Sequence, residues 1–319
     1  MPELPEVETV VRELAPVLPG RTVVRARLTA PDLYRRGSLR VGTLAGARIE
    51  GVERFGKAIM MRLQAGRAGV VDGAPAASGG GVIDDRTREL FLVVHLGMTG
   101  KLLFAADARQ VPREAHLHAR ILFADGSELR YVDPRRFGYF FVGDGAAVAA
   151  SFDFGPDPFA MRPRELARRL SGRRAPLKAL LLDQRIVSGL GNIYVDELLF
   201  ATRIHPLTPG DAAVAQAARL LRAARVILER AIAASGTTIR DYRRPDGSSG
   251  AFQLRLSVYG REGKACRRCR TVIERIEVSQ RGTHLCPRCQ PAPVSAGKRR
   301  SRRADRSRRA GPLRAGYTR

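Results

Sequence analysis

The N-terminal half of the chain alternates short apolar and polar positions in a way typical of β-strands. Glycine, aspartate and proline separate these stretches. The pattern predicts strands at Thr22–Leu28, Ala58–Leu63, Leu90–His95, Ala119–Phe123 and Phe137–Val142. Together they favour a β-sandwich over residues 1–148. Within it, the Gly/Ala/Asp-rich residues 65–89 predict a long flexible loop.

From Pro163 onward the apolar spacing becomes helical. Leu166 and Leu170 mark a short helix. The pattern then predicts further helices at Leu177–Leu182, Ile193–Phe200 and Asp211–Ala234, the last ending at Gly236. These helices define a helical domain over residues 149–242. The expected fold class is therefore α+β multidomain, with an N-terminal β-sandwich followed by a helical domain.

The remainder of the chain predicts a small module and a tail. A polar loop, Asp241–Gln253, and a short strand, Leu254–Tyr259, lead into a region that contains every cysteine. We assign residues 243–290 to this C-terminal module. Residues 291–319 are rich in Pro, Ala, Ser and Arg and hold almost no large apolar side chain, so we expect them to be disordered.

The first ten residues, MPELPEVETV, combine a helical pattern with candidate chemistry. An apolar stripe at helical spacing follows Pro5, which suits the first turn of a helix. Its members are Val7, Val10, Val11, Leu14 and Leu18. Glu6 and Glu8 would complement the dipole of this helix.

Pro2 is a candidate nucleophile. Once Met1 is removed, Pro2 offers a secondary amine, and an α-amino group has a pKa of roughly 8. Such an amine can attack an aldehyde-like carbon and form an iminium. Glu3 stands beside it as a possible proton donor. The helix and the nucleophile are compatible interpretations of the same residues.

Charge narrows the class of partner. The chain carries 56 Lys and Arg against 31 Asp and Glu, a net charge of +25. Residues 291–319 contribute ten basic side chains and one acidic, so +9, which leaves +16 on the rest. Such an excess favours nucleic acid as the partner, the alternative being the solvated charges of an arginine-rich proteome. With no membrane-length apolar stretch and no signal peptide, we expect a cytoplasmic protein.

The four cysteines form two C-x-x-C pairs, Cys266 with Cys269 and Cys286 with Cys289. This spacing predicts one structural Zn²⁺ held by four thiolates, with a pair of disulfides as the alternative. The metal would stiffen a hairpin over Thr271–Leu285 and present its loop to DNA.

Several spaced motifs resemble those of the formamidopyrimidine-DNA glycosylases, which are bifunctional base-excision repair enzymes. The resemblance begins with MPELPEVETV and extends almost to residue 290. Its other motifs are RFGKAI (54–59), HLGMTG (95–100), DPRRFG (133–138), GLGN (189–192) and QRGT (280–283). Residues 65–89 look like an insertion relative to this family.

The resemblance implies four catalytic residues. Pro2 would attack C1′ of a damaged nucleotide, with Glu3 as the acid. Lys57 would contact a phosphate at the lesion and donate a proton during β-elimination. Arg281 would grip the phosphates around the lesion. Without the family, Lys57 is usually an exposed charge at a strand end, and Arg281 is one of many loop arginines.

A second implied group fills the gap left when the damaged base rotates out. By resemblance, Met98, Arg135 and Phe137 enter this gap, and such wedge side chains partly restore the lost stacking. Arg135 would face the orphaned base and read its acceptors. Taken alone, Met98 and Phe137 would be assigned to the core.

A third implied group holds the DNA backbone. GLGN would belong to a helix–two-turns–helix motif in which Lys178 and Asn192 hold the damaged strand. We interpret its glycines as allowing close approach of a phosphate to a helix start, although Asn192 could be only an N-cap. Arg173 and His116 match DNA-contacting positions. Unaided, His116 and His118 would be a pair on one strand face, or weak metal ligands.

The function implied is removal of oxidised purines, such as 8-oxoguanine and formamidopyrimidines, followed by β,δ-elimination. The partner would be double-stranded DNA with oxidised bases or abasic sites, bound by a monomer at the nucleoid. One alternative is the sister group that acts on oxidised pyrimidines. Leu4 and the trio Met98, Arg135 and Phe137 favour the purine branch. The other alternative, a non-catalytic zinc-ribbon DNA binder, would require loss of a catalytic position, yet all four are present.

Overall fold

The computed structural model describes residues 2–65, 89–110, 114–237 and 251–293. The chain begins with helix α1 (Leu4–Leu14), whose N-cap is Glu3 and whose first turn contains Pro5. The predicted apolar stripe is confirmed, since all five of its members are buried. Leu4 packs instead into the core of the helical domain, so α1 joins the two large cores of the molecule.

Two four-stranded antiparallel sheets follow, which confirms the predicted β-sandwich. One sheet has the order β1-β6-β7-β5 and the other β2-β3-β4-β8. Their strands are β1 (Val23–Leu28), β2 (Arg48–Phe55), β3 (Ala58–Gln64), β4 (Glu89–His95), β5 (Lys101–Ala105), β6 (Leu117–Phe123), β7 (Glu128–Val132) and β8 (Tyr139–Gly143). Their inward side chains and the stripe of α1 form one hydrophobic core. A short helix, α2 (Gly145–Ser151), comes after β8.

The sequence pattern missed three strands and misplaced one. Strands β2, β5 and β7 were not predicted, and β2 is interrupted by a shift of register between Ile49 and Gly51 that breaks its alternation. The predicted strand Phe137–Val142 is wrong at its start, because β8 begins at Tyr139 and Phe137 lies in the preceding turn. Glu89 belongs to β4. The rest of the predicted flexible loop, 66–88, lies outside the described residues.

The helical domain contains α3 (Pro163–Leu170), α4 (Leu177–Leu182), α5 (Asn192–Ala201) and α6 (Ala217–Ala233). Three of these agree closely with the predicted helices. The long helix predicted from Asp211 is wrong in its first part, since Asp211–Gln216 is a 3-10 helix. The chain leaves α6 through Gly236, whose φ of +78° is the left-handed conformation that glycine adopts readily. No helix of the described ranges is both long enough and apolar enough to span a membrane.

The C-terminal module is a hairpin of β9 (Glu274–Val278) and β10 (Arg281–Leu285), which packs on α5. The predicted strand Leu254–Tyr259 is wrong. Phe252–Arg255 forms a 3-10 turn, and the following amides are bound by a carboxylate of α5. Residues 241–250 of the predicted polar loop and residues 294–319 of the predicted tail lie outside the described residues.

Candidate active site and DNA interface

The carboxylate of Glu3 lies at the N-terminus of α5. It accepts hydrogen bonds from the amides of Ile193 (3.0 Å) and Tyr194 (3.5 Å), which are free donors in the first turn of that helix. Glu3 is almost fully buried, and burial raises its pKa, against the opposing effects of Lys57 and the two amides. A raised pKa suits a carboxyl group that has to give up a proton. Pro2 is also buried, directly before it.

The two glycines of GLGN make room for α1. A β-carbon on Gly191 would lie 2.3 Å from the Glu3 carboxyl carbon, and one on Gly189 would lie 2.6 Å from Leu4 Cδ1. Gly189 also accepts the Leu4 amide hydrogen bond at 3.0 Å. Our interpretation of these glycines as a phosphate cradle is therefore corrected. The group that occupies this helix start is the Glu3 carboxyl.

Glu6, one turn into α1, forms a second buried acidic site that the sequence analysis missed. Its carboxylate accepts hydrogen bonds from the Glu3 amide (2.8 Å), the Tyr194 hydroxyl (2.6 Å) and the Thr237 amide (2.7 Å). Burial, followed by the negative charge of Glu3, raises its pKa to about 7. The available signal was the spacing of Glu3 and Glu6, which is that of a capping box.

Lys57 occupies the tight turn between β2 and β3. Phe55 pairs with Ala58, so Gly56 and Lys57 form a two-residue turn, and Gly56 has the positive φ (+63°) such turns require. Lys57 is only 7% exposed, so it is not the exposed charge at a strand end that its position in the sequence would usually indicate. Burial lowers its pKa, while the nearby Glu3 raises it. A lysine of this kind can both contact a phosphate and release a proton.

Arg281 begins β10 and completes the cluster. It is exposed, and its positive charge acts on both Lys57 and Lys178. The turn before it is formed by Ser279 and Gln280, both with positive φ. Arg281, Gly282 and Thr283 of the QRGT motif therefore belong to β10, and the hairpin loop contains only Ser279 and Gln280. Three elements bring these residues together: α1 carries Glu3, the turn between β2 and β3 carries Lys57, and the C-terminal hairpin carries Arg281.

Lys178 and Asn192 converge on the backbone beside Arg281. Lys178 Nζ and Asn192 Nδ2 donate to the Gly282 carbonyl at 3.2 and 2.9 Å. Lys178 has no exposed surface and pairs with Asp196 at 2.6 Å, and burial lowers its pKa. Asn192 is the first residue of α5, and Gly191 is the N-cap, so the N-cap alternative for Asn192 is wrong. Its Oδ1 is buried and has no hydrogen-bond partner among the described residues.

Arg135 and Phe137 project from the turn before β8. Both are exposed, Phe137 by 54%, and the guanidinium of Arg135 lies 4.7 Å from the centre of the Phe137 ring. Met98 is partly buried in the loop after β4. An exposed aromatic side chain on a basic protein suits insertion into a base stack. Neither Phe137 nor Met98 belongs to a buried core cluster.

His116 and Arg173 are both exposed. His116 has a φ of +61° and precedes β6, so it does not share a strand face with His118. Its carbonyl accepts the Asp133 amide hydrogen bond, which places it beside the turn of Arg135. Arg173 follows α3 near Asp183, and no contact with the catalytic cluster is found for it in the described part of the chain.

The four cysteine sulfurs lie within 4.8 Å of one another. Cys269 Sγ is 3.4 Å from Cys286 Sγ and 3.5 Å from Cys289 Sγ. Tetrahedral Zn²⁺ with bonds of about 2.3 Å needs sulfurs about 3.8 Å apart, so the set fits this metal. It is the one cluster of possible metal ligands among the described residues, and the histidine pair is not part of it. Cys266, Cys269, Cys286 and Cys289 form a single structural zinc site.

Two adjacent acidic residues of α5, neither found from the sequence, attach the zinc module to the helical domain. Asp196 accepts the His284 amide at 2.8 Å and pairs with Lys178. Glu197 accepts the amides of three consecutive residues, Ser257, Val258 and Tyr259, at 2.8–3.0 Å. Both carboxylates are buried. The hairpin is thereby fixed relative to the start of α5, where Glu3 lies.

Family models match all three parts of the chain. The formamidopyrimidine-DNA glycosylase N-terminal domain matches residues 1–140, and the H2TH domain of the same family matches residues 154–243. A zinc finger found in formamidopyrimidine-DNA glycosylases and isoleucyl-tRNA synthetases matches residues 263–292.

Relatives and solved structures agree with these matches. A formamidopyrimidine-DNA glycosylase of Chloroflexus aggregans is 42% identical, over 91% of this chain and 98% of its own. A formamidopyrimidine-DNA glycosylase of Symbiobacterium thermophilum is 39% identical, over 95% of this chain and 94% of its own.

Two solved structures cover nearly the whole fold. A Lactococcus lactis mutant bound to Fapy-dG-containing DNA has a TM-score of 0.75 and 32% identity, over 91% of this chain and 100% of its own. The Thermus thermophilus protein has a TM-score of 0.73 and 38% sequence identity, over 91% of this chain and 98% of its own. With its three modules matched in order and its catalytic positions clustered, the chain belongs to the formamidopyrimidine-DNA glycosylase family.

Proposed function

We propose that this protein excises oxidised purines from duplex DNA and then cleaves the strand through a Schiff base on Pro2. The observation that supports this most is the proximity of Glu3, Lys57 and Arg281 next to Pro2, although Arg281 comes from the C-terminal module and the other two from the N-terminal domain. The structures of relatives include complexes with Fapy-dG-containing and abasic-site-containing DNA. A non-catalytic zinc-ribbon binder would have no use for a buried carboxyl and a buried ammonium held together.

Base excision would begin with attack by the Pro2 nitrogen on C1′. As the new N–C bond forms, the glycosidic bond breaks, and the departing base takes up the bonding electron pair and a proton. Glu3 is suited to supply the proton, because burial keeps its pKa high. The Pro2 nitrogen then loses its proton, and its lone pair expels O4′ of the sugar. O4′ takes up that proton as the ring opens, which leaves an iminium between Pro2 and C1′.

Strand cleavage would follow from the iminium. The iminium acidifies the proton on C2′, so its removal expels the 3′ phosphate in β-elimination, and the 5′ phosphate leaves in a second elimination. Lys57 and Arg281 together place positive charge where phosphates depart. Lys57 is the better proton donor of the two, because burial lowers its pKa whereas a guanidinium stays protonated.

Met98, Arg135 and Phe137 would fill the gap left by the extruded base, and Arg135 would read the orphaned base. A cytosine offers acceptors to the guanidinium, whereas adenine presents an amino donor. This supports a preference for lesions opposite cytosine. Loss of one good base contact corresponds to roughly 1–3 kcal/mol, or about five-fold to 150-fold in rate.

The Schiff base can be tested by borohydride trapping on a duplex with 8-oxoguanine opposite cytosine. We expect a covalent protein–DNA product in which the N-terminal proline carries the sugar. The matched control is the same preparation with an N-terminal tag before and after its removal, since the tag blocks the amine and its removal frees it. A product mapped to Lys57, or trapping by the tagged form, would contradict the proposal.

The lesion class needs a separate comparison. Matched duplexes would carry 8-oxoguanine opposite cytosine or adenine, a formamidopyrimidine, or thymine glycol. The purine lesions opposite cytosine should be cleaved fastest. Faster cleavage of thymine glycol would favour the oxidised-pyrimidine branch of the family instead.

We also propose that the protein acts as a monomer in the cytoplasm, at the nucleoid. One chain supplies the residues of the proposed reaction, and its charge of +25 favours association with DNA. Light scattering on the protein, alone and with one equivalent of duplex, should give one copy per duplex. Fluorescence imaging of a C-terminal fusion should coincide with DNA staining.

A further inference from the structure

Two loops at one edge of the β-sandwich are in direct backbone contact. We define the first as the Met98 loop, residues 96–100, and the second as the Arg135 loop, residues 133–138. A β-carbon on Gly97 would lie 2.4 Å from both Gly138 N and the Phe137 carbonyl carbon. A β-carbon on Gly138 would in turn lie 2.4 Å from the His95 carbonyl oxygen. No side chain fits between the two loops.

The carboxylate of Asp133 holds the two loops together. One oxygen accepts hydrogen bonds from the Thr99 hydroxyl (2.5 Å) and the Arg135 amide (3.2 Å). The other accepts from the Tyr131 hydroxyl (3.0 Å) and the Gly138 amide (3.1 Å). Asp133 has no exposed surface. Thr99 belongs to the Met98 loop, so its hydroxyl links that loop to the Arg135 loop.

The backbone of Asp133 is fixed as well. Its amide donates to the His116 carbonyl, and its carbonyl oxygen is 3.0 Å from His118 Nε2. A buried carboxylate with four donors is strongly stabilised in the charged form and resists rearrangement. The exposed side chains of Arg135 and Phe137 therefore project from a rigid base, although they lie in a turn.

We propose that Asp133, through Thr99, is a positioning residue that makes the Met98 loop and the Arg135 loop one rigid body. This rests on the proposed function, in which Met98, Arg135 and Phe137 enter the duplex together. Insertion of separate loops would require each to be ordered at the moment of binding, at a cost in conformational entropy. A single rigid body enters already ordered and aims Arg135 at the opposite base.

Thr99 offers a matched pair of variants. Thr99→Val removes the hydroxyl at nearly constant volume, and Thr99→Ser keeps it. The measurement is the ratio of single-turnover excision rates for 8-oxoguanine opposite cytosine and opposite adenine. A ratio does not depend on the fraction of active protein, so a loss of folded enzyme alone does not change it. We expect Thr99→Val to lower the ratio several-fold and Thr99→Ser to restore most of it.

A second readout follows insertion directly. The fluorescence of 2-aminopurine placed beside the lesion rises when the neighbouring bases unstack. Thr99→Val should reduce this rise at saturating enzyme, whereas Thr99→Ser should not. Thr202→Val serves as the control, because Thr202 is also buried and donates its hydroxyl to the Leu198 carbonyl of α5. It should change neither readout.

Asp133→Asn provides a stronger test. Its amide group keeps the size of the side chain but turns an acceptor into a donor that faces other donors. It should lower the ratio further than Thr99→Val does. A wild-type ratio in Thr99→Val, or a wild-type enzyme that excises equally opposite cytosine and adenine, would overturn the inference. A wild-type enzyme that excises nothing would instead overturn the proposed function.

Discussion

The Glu3 carboxyl group accepts the Ile193 amide hydrogen bond at 3.0 Å, so the first turns of α1 and α5 share this one group. This contact joins residues 190 positions apart in the chain. It also explains why a glycine stands at the N-cap of α5, since any side chain there would occupy the place of the carboxylate. The candidate acid is therefore positioned by the helical domain as well as by its own helix.

Gly191→Ala should displace Glu3. Its β-carbon would lie 2.3 Å from the Glu3 carboxyl carbon, far inside contact distance. General acid catalysis contributes typically 10²–10⁴-fold, so we expect base excision to fall by about 10² or more while DNA binding persists. Single-turnover kinetics and gel-shift titration would separate the two effects. Gly42→Ala is the control, because its nearest described neighbour is 4.0 Å away.

The fold was more predictable than the contacts within the site. The apolar pattern gave α4 and α5 nearly at their observed bounds, because most residues of both helices are buried in a core. For α1 it gave the buried stripe but ran on to Leu18, beyond the helix end at Leu14. The cysteine spacing likewise predicted the zinc site, since the metal fixes its own ligands. Periodicity failed for β2, where a bulge shifts the register.

Long-range polar contacts could not be predicted in the same way. GLGN has the composition of a phosphate-binding helix start, and only the fold shows that a carboxylate of α1 already lies there. Similarly, Asp196 and Glu197 look like ordinary helix surface charges in the sequence. Their burial depends on the zinc module, which is brought against α5 by tertiary packing.

Replacing Asp196 should leave Lys178 as an uncompensated buried charge. Neither side chain has exposed surface, and their charged atoms lie 2.6 Å apart. Breaking such a pair costs roughly 3–5 kcal/mol, so Asp196→Asn should lower the free energy of unfolding by that order. The double variant Lys178→Met/Asp196→Leu should recover part of it. Urea denaturation of the single and the double variant measures their free energies of unfolding. An equal loss of stability in the two variants would contradict the prediction.

The stability of the protein should depend on Glu6 and on pH. Burial raises the pKa of Glu6 to about 7, from an ordinary value of 4.5. A carboxyl whose pKa is higher in the folded than in the unfolded protein stabilises the folded state fully at pH values below the pKa of the unfolded chain. This stabilisation is lost as the pH rises through the pKa of the folded protein. The shift corresponds to on the order of 3 kcal/mol. Glu6→Gln should therefore gain stability relative to wild type between pH 4.5 and pH 8.

Urea denaturation at pH 5 and pH 8 measures this difference. The quantity compared is the stability of Glu6→Gln minus that of wild type at each pH. Hydrogen bonds that the variant loses equally at both pH values do not change how this difference varies with pH. Glu53→Gln, at an exposed position of β2, should show the same difference from wild type at each pH. A Glu6→Gln variant whose difference from wild type does not vary with pH would show that Glu6 is ionised throughout.

Phe137→Trp should report insertion into DNA, because the chain contains no tryptophan of its own. Phe137 is 54% exposed, so the new indole would be accessible to acrylamide in the free protein. Stacking on bases in a lesion-containing duplex should quench its emission and protect it from acrylamide. Val24→Trp is the matched control, since Val24 on β1 is also 54% exposed but lies outside the Met98 and Arg135 loops. Its emission should respond equally to damaged and undamaged duplex. If the indole at 137 stays as accessible on the lesion duplex as in free protein, Phe137 does not enter the base stack.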